Sequence, residues 1–283
     1  MGNKKITIQD IKQAKKDNRK LTMVTAYDYP FGLMADEAKV DIVLVGDSLG
    51  MVVMGLDGTV EVTMEHMIHH IKAVVRGCKN ALIVGDMPFM SYNTSVREAI
   101  VNAGRLMKEG GCDVVKLEGG VDFAPTVKAI VKAGIPVQGH IGLTPQTASA
   151  LGGFKMQGKD AKAAARIVDD AKALEDAGVF SMILEAVPAP LGEIIAQSVS
   201  VPVIGIGAGN KVDGQVLVTH DMVGLFDKFV PKFVKQYTKI RPIIIDAMKA
   251  YKKEVVAEVF PAAEHSFSMP GTALEELKAI LKQ

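Results

Sequence analysis

Seven short apolar runs punctuate this chain, and most are followed by glycine, proline or a carboxylate. They are "LTMVTAYD" (21–28), "VDIVLVGDS" (40–48), "ALIVGDMPF" (81–89), "DVVKLEGG" (113–120), "IPVQGHIGLTP" (135–145), "SMILEAVP" (181–188) and "VPVIGIGAG" (201–209). A weaker one is "GQVLVT" (214–219). Most are too apolar to alternate between a wet face and a dry one. Continuous runs of this kind suit parallel strands covered on both sides.

Helical patterns lie between them. Residues 63–77 carry Met64, Met67, Ile68, Ile71, Val74 and Val75 at helical spacing. Residues 95–111 open with a capping box, Ser95 with Glu98, and close on glycine. Residues 159–178 are Ala-rich and end the same way. Strand alternating with helix means an α/β fold. About eight strands in 283 residues predict a closed (β/α)8 TIM-type barrel, with an open doubly wound sheet as the alternative. The tail from about residue 230 reads as a helix over 232–260, a loop, and a last helix with a second capping box, Thr272 with Glu275. No linker separates it, so the expectation is one domain over 1–283 with 230–283 as a helical tail packed on the barrel.

The charges narrow the partners. Lys and Arg number 33 against 32 for Asp and Glu, a balance that points neither to nucleic acid nor to an anionic membrane. No apolar run approaches the roughly 20 residues of a membrane span. Met1-Gly2-Asn3-Lys4-Lys5 leads into polar residues rather than the apolar stretch of a secretory signal, and Gly2 fits a myristoylation site poorly. Cys78 and Cys112 have no metal-type spacing and read as buried thiols of a reducing compartment, so a cytoplasmic enzyme is expected.

In a barrel the chemistry gathers at the C-terminal ends of the strands. The polar residues there are Asp28, Asp47, Ser48, Asp86, Lys116, Glu118, His140 and Glu185, followed by the glycines of "GIGAG". Asp28 reads as a helix cap. Asp47, Asp86 and Glu118, from three strands, would repel one another unless a hard cation such as Mg²⁺ joined them, some through water. Lys116 and Glu118, two apart, share a strand face and either pair with each other or serve a site. His140 is either a satisfied core histidine or a substrate contact. Glu185 follows "SMIL", an apolar setting expected to raise its pKa and suit it to general-base work. His66, His69 and His70 read as surface or interface. "GIGAG" is either a phosphate cradle or a tight turn.

Together these stretches resemble the ketopantoate hydroxymethyltransferase family. "GDSLGM", "KLEGG" and "GHIGLTPQ" are the most specific, with "IVGDMPFMSY", "GGFKMQGK", "LEAVP", "DGQVLVTHDMVGL", "KFVKQY" and "EHSF" in the family's order, over about residues 25–268. The resemblance implies a barrel enzyme of pantothenate biosynthesis. It would move a hydroxymethyl group from 5,10-methylenetetrahydrofolate to 3-methyl-2-oxobutanoate, giving 2-dehydropantoate, with one Mg²⁺ per subunit in a homodecamer. It implies metal ligands at Asp47, Asp86 and Glu118, substrate contacts at Asp47, Ser48, Asp86 and Lys116, and the proton acceptor at Glu185. We place His140 with the substrate contacts. Departures fall in loops: Gly58 and Glu61 stand where Ser and Pro are expected, and "NKVDGQ" follows "GIGAG". The alternative function is a Mg²⁺-dependent 2-oxo-acid lyase or mutase of the phosphoenolpyruvate mutase and isocitrate lyase type. Those lyases typically carry a cysteine loop, and neither Cys78 nor Cys112 sits in one.

Overall fold

All eight apolar runs become strands. In the computed structural model, which describes residues 4–282, they are β1 (Leu21–Thr25), β2 (Ile42–Val45), β3 (Leu82–Asp86), β4 (Val114–Glu118), β5 (Val137–Gly142), β6 (Ser181–Glu185), β7 (Val203–Ile206) and β8 (Gly214–Leu217). They pair in parallel in chain order, and β8 returns to β1 with Leu21 opposite Gly214, so the sheet closes into a barrel. That closure rules out the open doubly wound sheet. The weak signal of β8 has a cause: its second residue, Gln215, is exposed and donates to the Gly209 carbonyl at 2.8 Å. The reading of Met1-Gly2-Asn3 lies outside the described residues.

The helices are α1 (Ile8–Lys16), α2 (Tyr29–Glu37), α3 (Leu49–Val52), α4 (Met64–Gly77), α5 (Val96–Arg105), α6 (Ala124–Lys132), α7 (Ala161–Ala177), α8 (Ala189–Ser198), α9 (Thr219–Met222), α10 (Ile240–Val256) and α11 (Gly271–Ile280). None is long and apolar enough to cross a membrane.

Strand alternation sorts the core into two layers. Val43, Ile83, Val115, Leu117, Met182 and Leu184 point outward and pack with α4, α6 and α7 residues such as Met67, Ile130 and Leu174. Ile42, Leu82, Val84, Val114, Ile183 and Ile204 point inward. The inner cluster also takes Ile11 and Ala14 of α1, a helix absent from the sequence-based expectation. Lys15 ties α1 down with a 2.9 Å ion pair to Asp213 and bonds to the carbonyls of Ala196 and Val201.

Three local expectations need correction. At Ser95 only half the capping box forms: its hydroxyl accepts from the Glu98 N–H, while the Glu98 carboxylate takes the Thr94 hydroxyl instead. The second box does not form, because α11 starts at Gly271 behind Pro270, which leaves Thr272 inside the helix, and Glu275 pairs with Lys278. The first tail helix begins at Ile240, not 232, because Phe233 packs on the inner core and pulls its segment across the barrel. No residue of α10 or α11 is buried within the monomer.

Candidate active site

The parity that aims Val114 inward does the same for Lys116 and Glu118 of β4, Asp86 of β3, His140 of β5 and Glu185 of β6. Register stacks them side by side: Asp86 is opposite Lys116, Glu118 is opposite His140, and Gly142 is opposite Glu185. Asp47 arrives differently. It lies beyond the end of β2, where the chain turns at Gly46 into α3, and its N–H donates to Asp86 Oδ2 at 3.1 Å. Asp47, Ser48, Asp86, Lys116, Glu118, His140 and Glu185 all line one cavity of about 720 Å³.

Burial makes this cluster strongly interacting. Lys116 Nζ is 2.9 Å from Asp86 Oδ1 and 4.0 Å from Glu118 Oε1, with every side chain all but sealed from water. Burial opposes the lysine's charge, but Asp86, Glu118 and Asp47 more than compensate and hold it protonated. His140 Nδ1 is 3.3 Å from Glu118 Oε1 and also 3.3 Å from Lys116 Nζ. Its Nε2 is 3.2 Å from Glu185 Oε2, off the axis of a good hydrogen bond. Burial and the Lys116 ammonium work against a charged imidazole, but the two carboxylates prevail and hold its pKa at about 9. His140 is thus a bridge between Glu118 and Glu185, not a plain core histidine. Glu185, expected in an apolar setting, instead has this partner and is partly open to the cavity.

The acids carry more charge than these cations neutralise. Burial, then the Asp86 and Glu118 charges, push the Asp47 carboxyl well above the usual range. Burial also lifts Asp86, against the pull of Lys116. Glu118 is lowered: burial raises it, but His140 and Lys116 outweigh that. Among the described residues no three potential ligands converge closely enough to grip one ion directly. Asp47 and Asp86 touch, whereas Glu118 is turned toward His140. Three buried oxygen donors with excess negative charge fit a hard divalent cation.

Two residues not singled out from the sequence organise the acids. Gln146, buried in the turn after β5, donates through Nε2 to Asp47 Oδ2 and to the Met87 carbonyl, both at 2.9 Å. Its backbone N–H donates to Glu118 Oε2 at 3.0 Å. Tyr92, whose hydroxyl burial keeps protonated, donates to Gln146 Oε1 at 2.6 Å, which fixes the orientation of the amide. Both lie in loops that follow strand ends, and they close the stretches "IVGDMPFMSY" and "GHIGLTPQ" that carry the family resemblance. Ser48 Oγ is 2.8 Å from the Tyr27 hydroxyl.

The remaining candidates fall elsewhere. Asp28 caps α2, accepting from the Phe31 N–H at 2.8 Å. His69 is exposed, while His66 and His70 are half-buried and bonded to the backbone of Thr63 and Tyr27. Gly207 and Gly209 have positive φ and lie against Phe233 and Ala189, so "GIGAG" serves as a tight turn. Cys78 and Cys112 are buried free thiols, each pushed up to about 12 by burial.

The sequence profile of the ketopantoate hydroxymethyltransferase family matches residues 5–263. A 3-methyl-2-oxobutanoate hydroxymethyltransferase of Heliobacterium modesticaldum is 58% identical over 266 residues, 94% of this chain and 96% of that protein. Its counterpart in Carboxydothermus hydrogenoformans is 54% identical over 273 residues, covering 96% and 99%. Among solved structures, a phosphonopyruvate hydrolase superposes with TM-score 0.61 at 11% identity, over 98% of this chain and 96% of that one. A 2,3-dimethylmalate lyase gives 0.57 at 12%, over 97% and 98%. At such identities the structural likeness speaks for the barrel alone. The match along nearly the whole sequence goes further: the chain is an enzyme, a transferase, and belongs to the ketopantoate hydroxymethyltransferase family.

Proposed function

We propose that the enzyme adds a hydroxymethyl group from 5,10-methylenetetrahydrofolate to 3-methyl-2-oxobutanoate, giving 2-dehydropantoate for pantothenate synthesis. One observation carries the reading: a general-base candidate, Glu185, a cation, Lys116, and three carboxylates share the rim of one cavity. Asp47 and Asp86 would hold Mg²⁺ directly and Glu118 through water. The ion, when bound, supplies Lewis-acid polarisation of the substrate's keto group, which makes the C3–H acidic.

The chain's own residues do the rest. Lys116 offers its ammonium to the substrate carboxylate and, with the Ser48 hydroxyl, fixes its register. Glu185 takes the C3 proton. His140, held by Glu118, keeps the Glu185 carboxylate aimed at that carbon and stabilises the charge left behind. The nucleophilic carbon bonds to the donor's one-carbon unit, both C–N bonds of the methylene bridge break to leave tetrahydrofolate, and a water molecule supplies the oxygen of the new hydroxyl and the protons the donor's nitrogens take up. Neither Cys78 nor Cys112 lines the cavity, which favours condensation over a cysteine-assisted lyase or mutase reaction.

The apolar residues exposed on α10 and α11, including Ile243, Met248, Tyr251 and Leu277, support a homo-oligomer in which other subunits cover them, the decamer being the family expectation. The enzyme would work in the cytoplasm. The test of the reaction is exchange of the C3 proton of 3-methyl-2-oxobutanoate in D2O. Glu185→Gln should slow exchange and product formation together by about 10²–10⁴-fold. Near-normal exchange in that variant removes Glu185 as the base, and carbon–carbon cleavage by the wild type without transfer would favour the lyase reading.

A further inference from the structure

The cavity is larger than its catalytic rim needs. At about 720 Å³ it falls within the roughly 300–1,000 Å³ that encloses a drug-sized ligand, and a five-carbon oxo acid fills only part of it. The metal-binding acids, Lys116, His140 and Glu185 come from β2 through β6. In a closed barrel of eight strands the wall opposite β4 is β8. There the segments that follow β7 and β8 line the cavity with Phe226 and Phe233, an apolar surface suited to a flat ring, and with one acid, Asp221.

Asp221 has no role in the chemistry described so far. It is 7% exposed, and its Oδ1 has no hydrogen-bond partner among the described residues. A buried carboxylate oxygen left unmatched is costly, and proteins rarely keep one without a use. Its position is firmly held. Thr219, at the start of α9, donates its N–H to Thr25 Oγ1 at 3.0 Å and its hydroxyl to the Thr25 carbonyl. Next to it, the His220 ring sits between Tyr27 and Phe31, with centroids 5.3 and 5.1 Å away. Burial lifts the Asp221 carboxyl to about 6, so it is mostly ionised at neutral pH and short of donors.

We propose that Asp221 recognises the pterin ring of the reduced folate donor, its carboxylate accepting from the N3–H and the 2-amino group of that ring. These two donors lie side by side, and a carboxylate answers such a pair with two parallel hydrogen bonds, as it does for a guanidinium. The apolar wall around Asp221 covers the ring faces. With the pterin anchored under β8, its one-carbon unit projects across the barrel toward the substrate held at β2–β6. This rests on the folate-donor reading above.

The test is calorimetric titration of the full-length enzyme with tetrahydrofolate and with its 2-desamino-2-methyl analogue. Wild type should bind tetrahydrofolate about tenfold or more tighter than the analogue, the size of a charge-assisted pair. Asp221→Asn can accept only one of the two donors, so it should weaken tetrahydrofolate about tenfold or more and erase the preference. The comparison of ligands on wild type requires no variant to fold; circular dichroism and Tm check Asp221→Asn. Equal wild-type affinity for both ligands, or tetrahydrofolate binding undiminished in a folded Asp221→Asn, overturns the Asp221 assignment alone. A wild type that binds no tetrahydrofolate overturns the donor reading, and the assignment falls with it.

Discussion

Lys116 Nζ sits 2.9 Å from Asp86 Oδ1, with both side chains at or below 3% exposure. An ammonium sealed among three acids is the counter-charge that lets those acids share one cavity. Removing one partner of a buried pair costs about 3–5 kcal/mol, because the other is left uncompensated. Lys116→Met should therefore destabilise the metal-free protein by about 3 kcal/mol or more. Added Mg²⁺ should recover part of that loss by replacing the missing positive charge. Denaturant titration with and without Mg²⁺ measures both effects, and a loss that is identical in the two conditions argues against a cation among these carboxylates.

Gln146 touches both ends of the acid cluster. Outer partners of metal ligands typically change affinity by about 10–100-fold when lost. Gln146→Leu keeps the bulk and the backbone N–H to Glu118 but frees Asp47 from its 2.9 Å bond. We expect weaker divalent-ion binding within that range, read as Mn²⁺ affinity by electron paramagnetic resonance, with the fold intact by circular dichroism. Unchanged affinity would show that Asp47 needs no such hold.

Asp221 makes a pH prediction. Its carboxyl is lifted to about 6 by burial, so the folded state binds a proton that the unfolded chain, with a pKa of about 4, gives up. The group therefore favours folding below about pH 4, and that contribution is lost as pH rises through about 6. Asp221→Asn has no such titration. Relative to wild type its Tm should rise between pH 4 and 7 and level off above, and a difference that does not vary with pH would contradict the assignment.

Gly142, at the end of β5, has φ +90°, and a Cβ there would stand 2.3 Å from the Glu185 carbonyl oxygen. The next residue after Glu185, Ala186, also has positive φ, so the backbone around the proposed base has little slack. Gly142→Ala should lower stability by about 1–3 kcal/mol, the usual cost of a strained backbone position, and reduce turnover more than substrate affinity by displacing Glu185. Thermal unfolding and a kcat against KM comparison test this. A well-tolerated alanine means the β5–β6 rim is softer than the contact implies.

Much of this was legible because it is local. The two-residue period of a strand alone puts Lys116 and Glu118 on one side, and runs such as "IVLV" are apolar throughout because both faces are covered. Asp86, Lys116, Glu118, His140 and Glu185 stood out as polar residues closing apolar runs. The tail was misjudged at its start because Phe233 makes a long-range contact that no helical pattern announces. Gln146, Tyr92 and Asp221 sit inside stretches that carry the family resemblance, yet their roles stayed hidden for a similar reason: a single polar residue in a loop looks the same whether it faces solvent or a cavity.

The order of residues alone determined the strands, the side of the barrel each inward side chain takes, and the acids that crowd its rim. Tertiary structure decided that β8 closes on β1, that the turn at Gly46 swings Asp47 against Asp86, and that Asp221 faces the acids across one space. The first set follows from backbone geometry over a few residues. The second depends on loops from distant strands meeting, which only the closed ring of hydrogen bonds enforces.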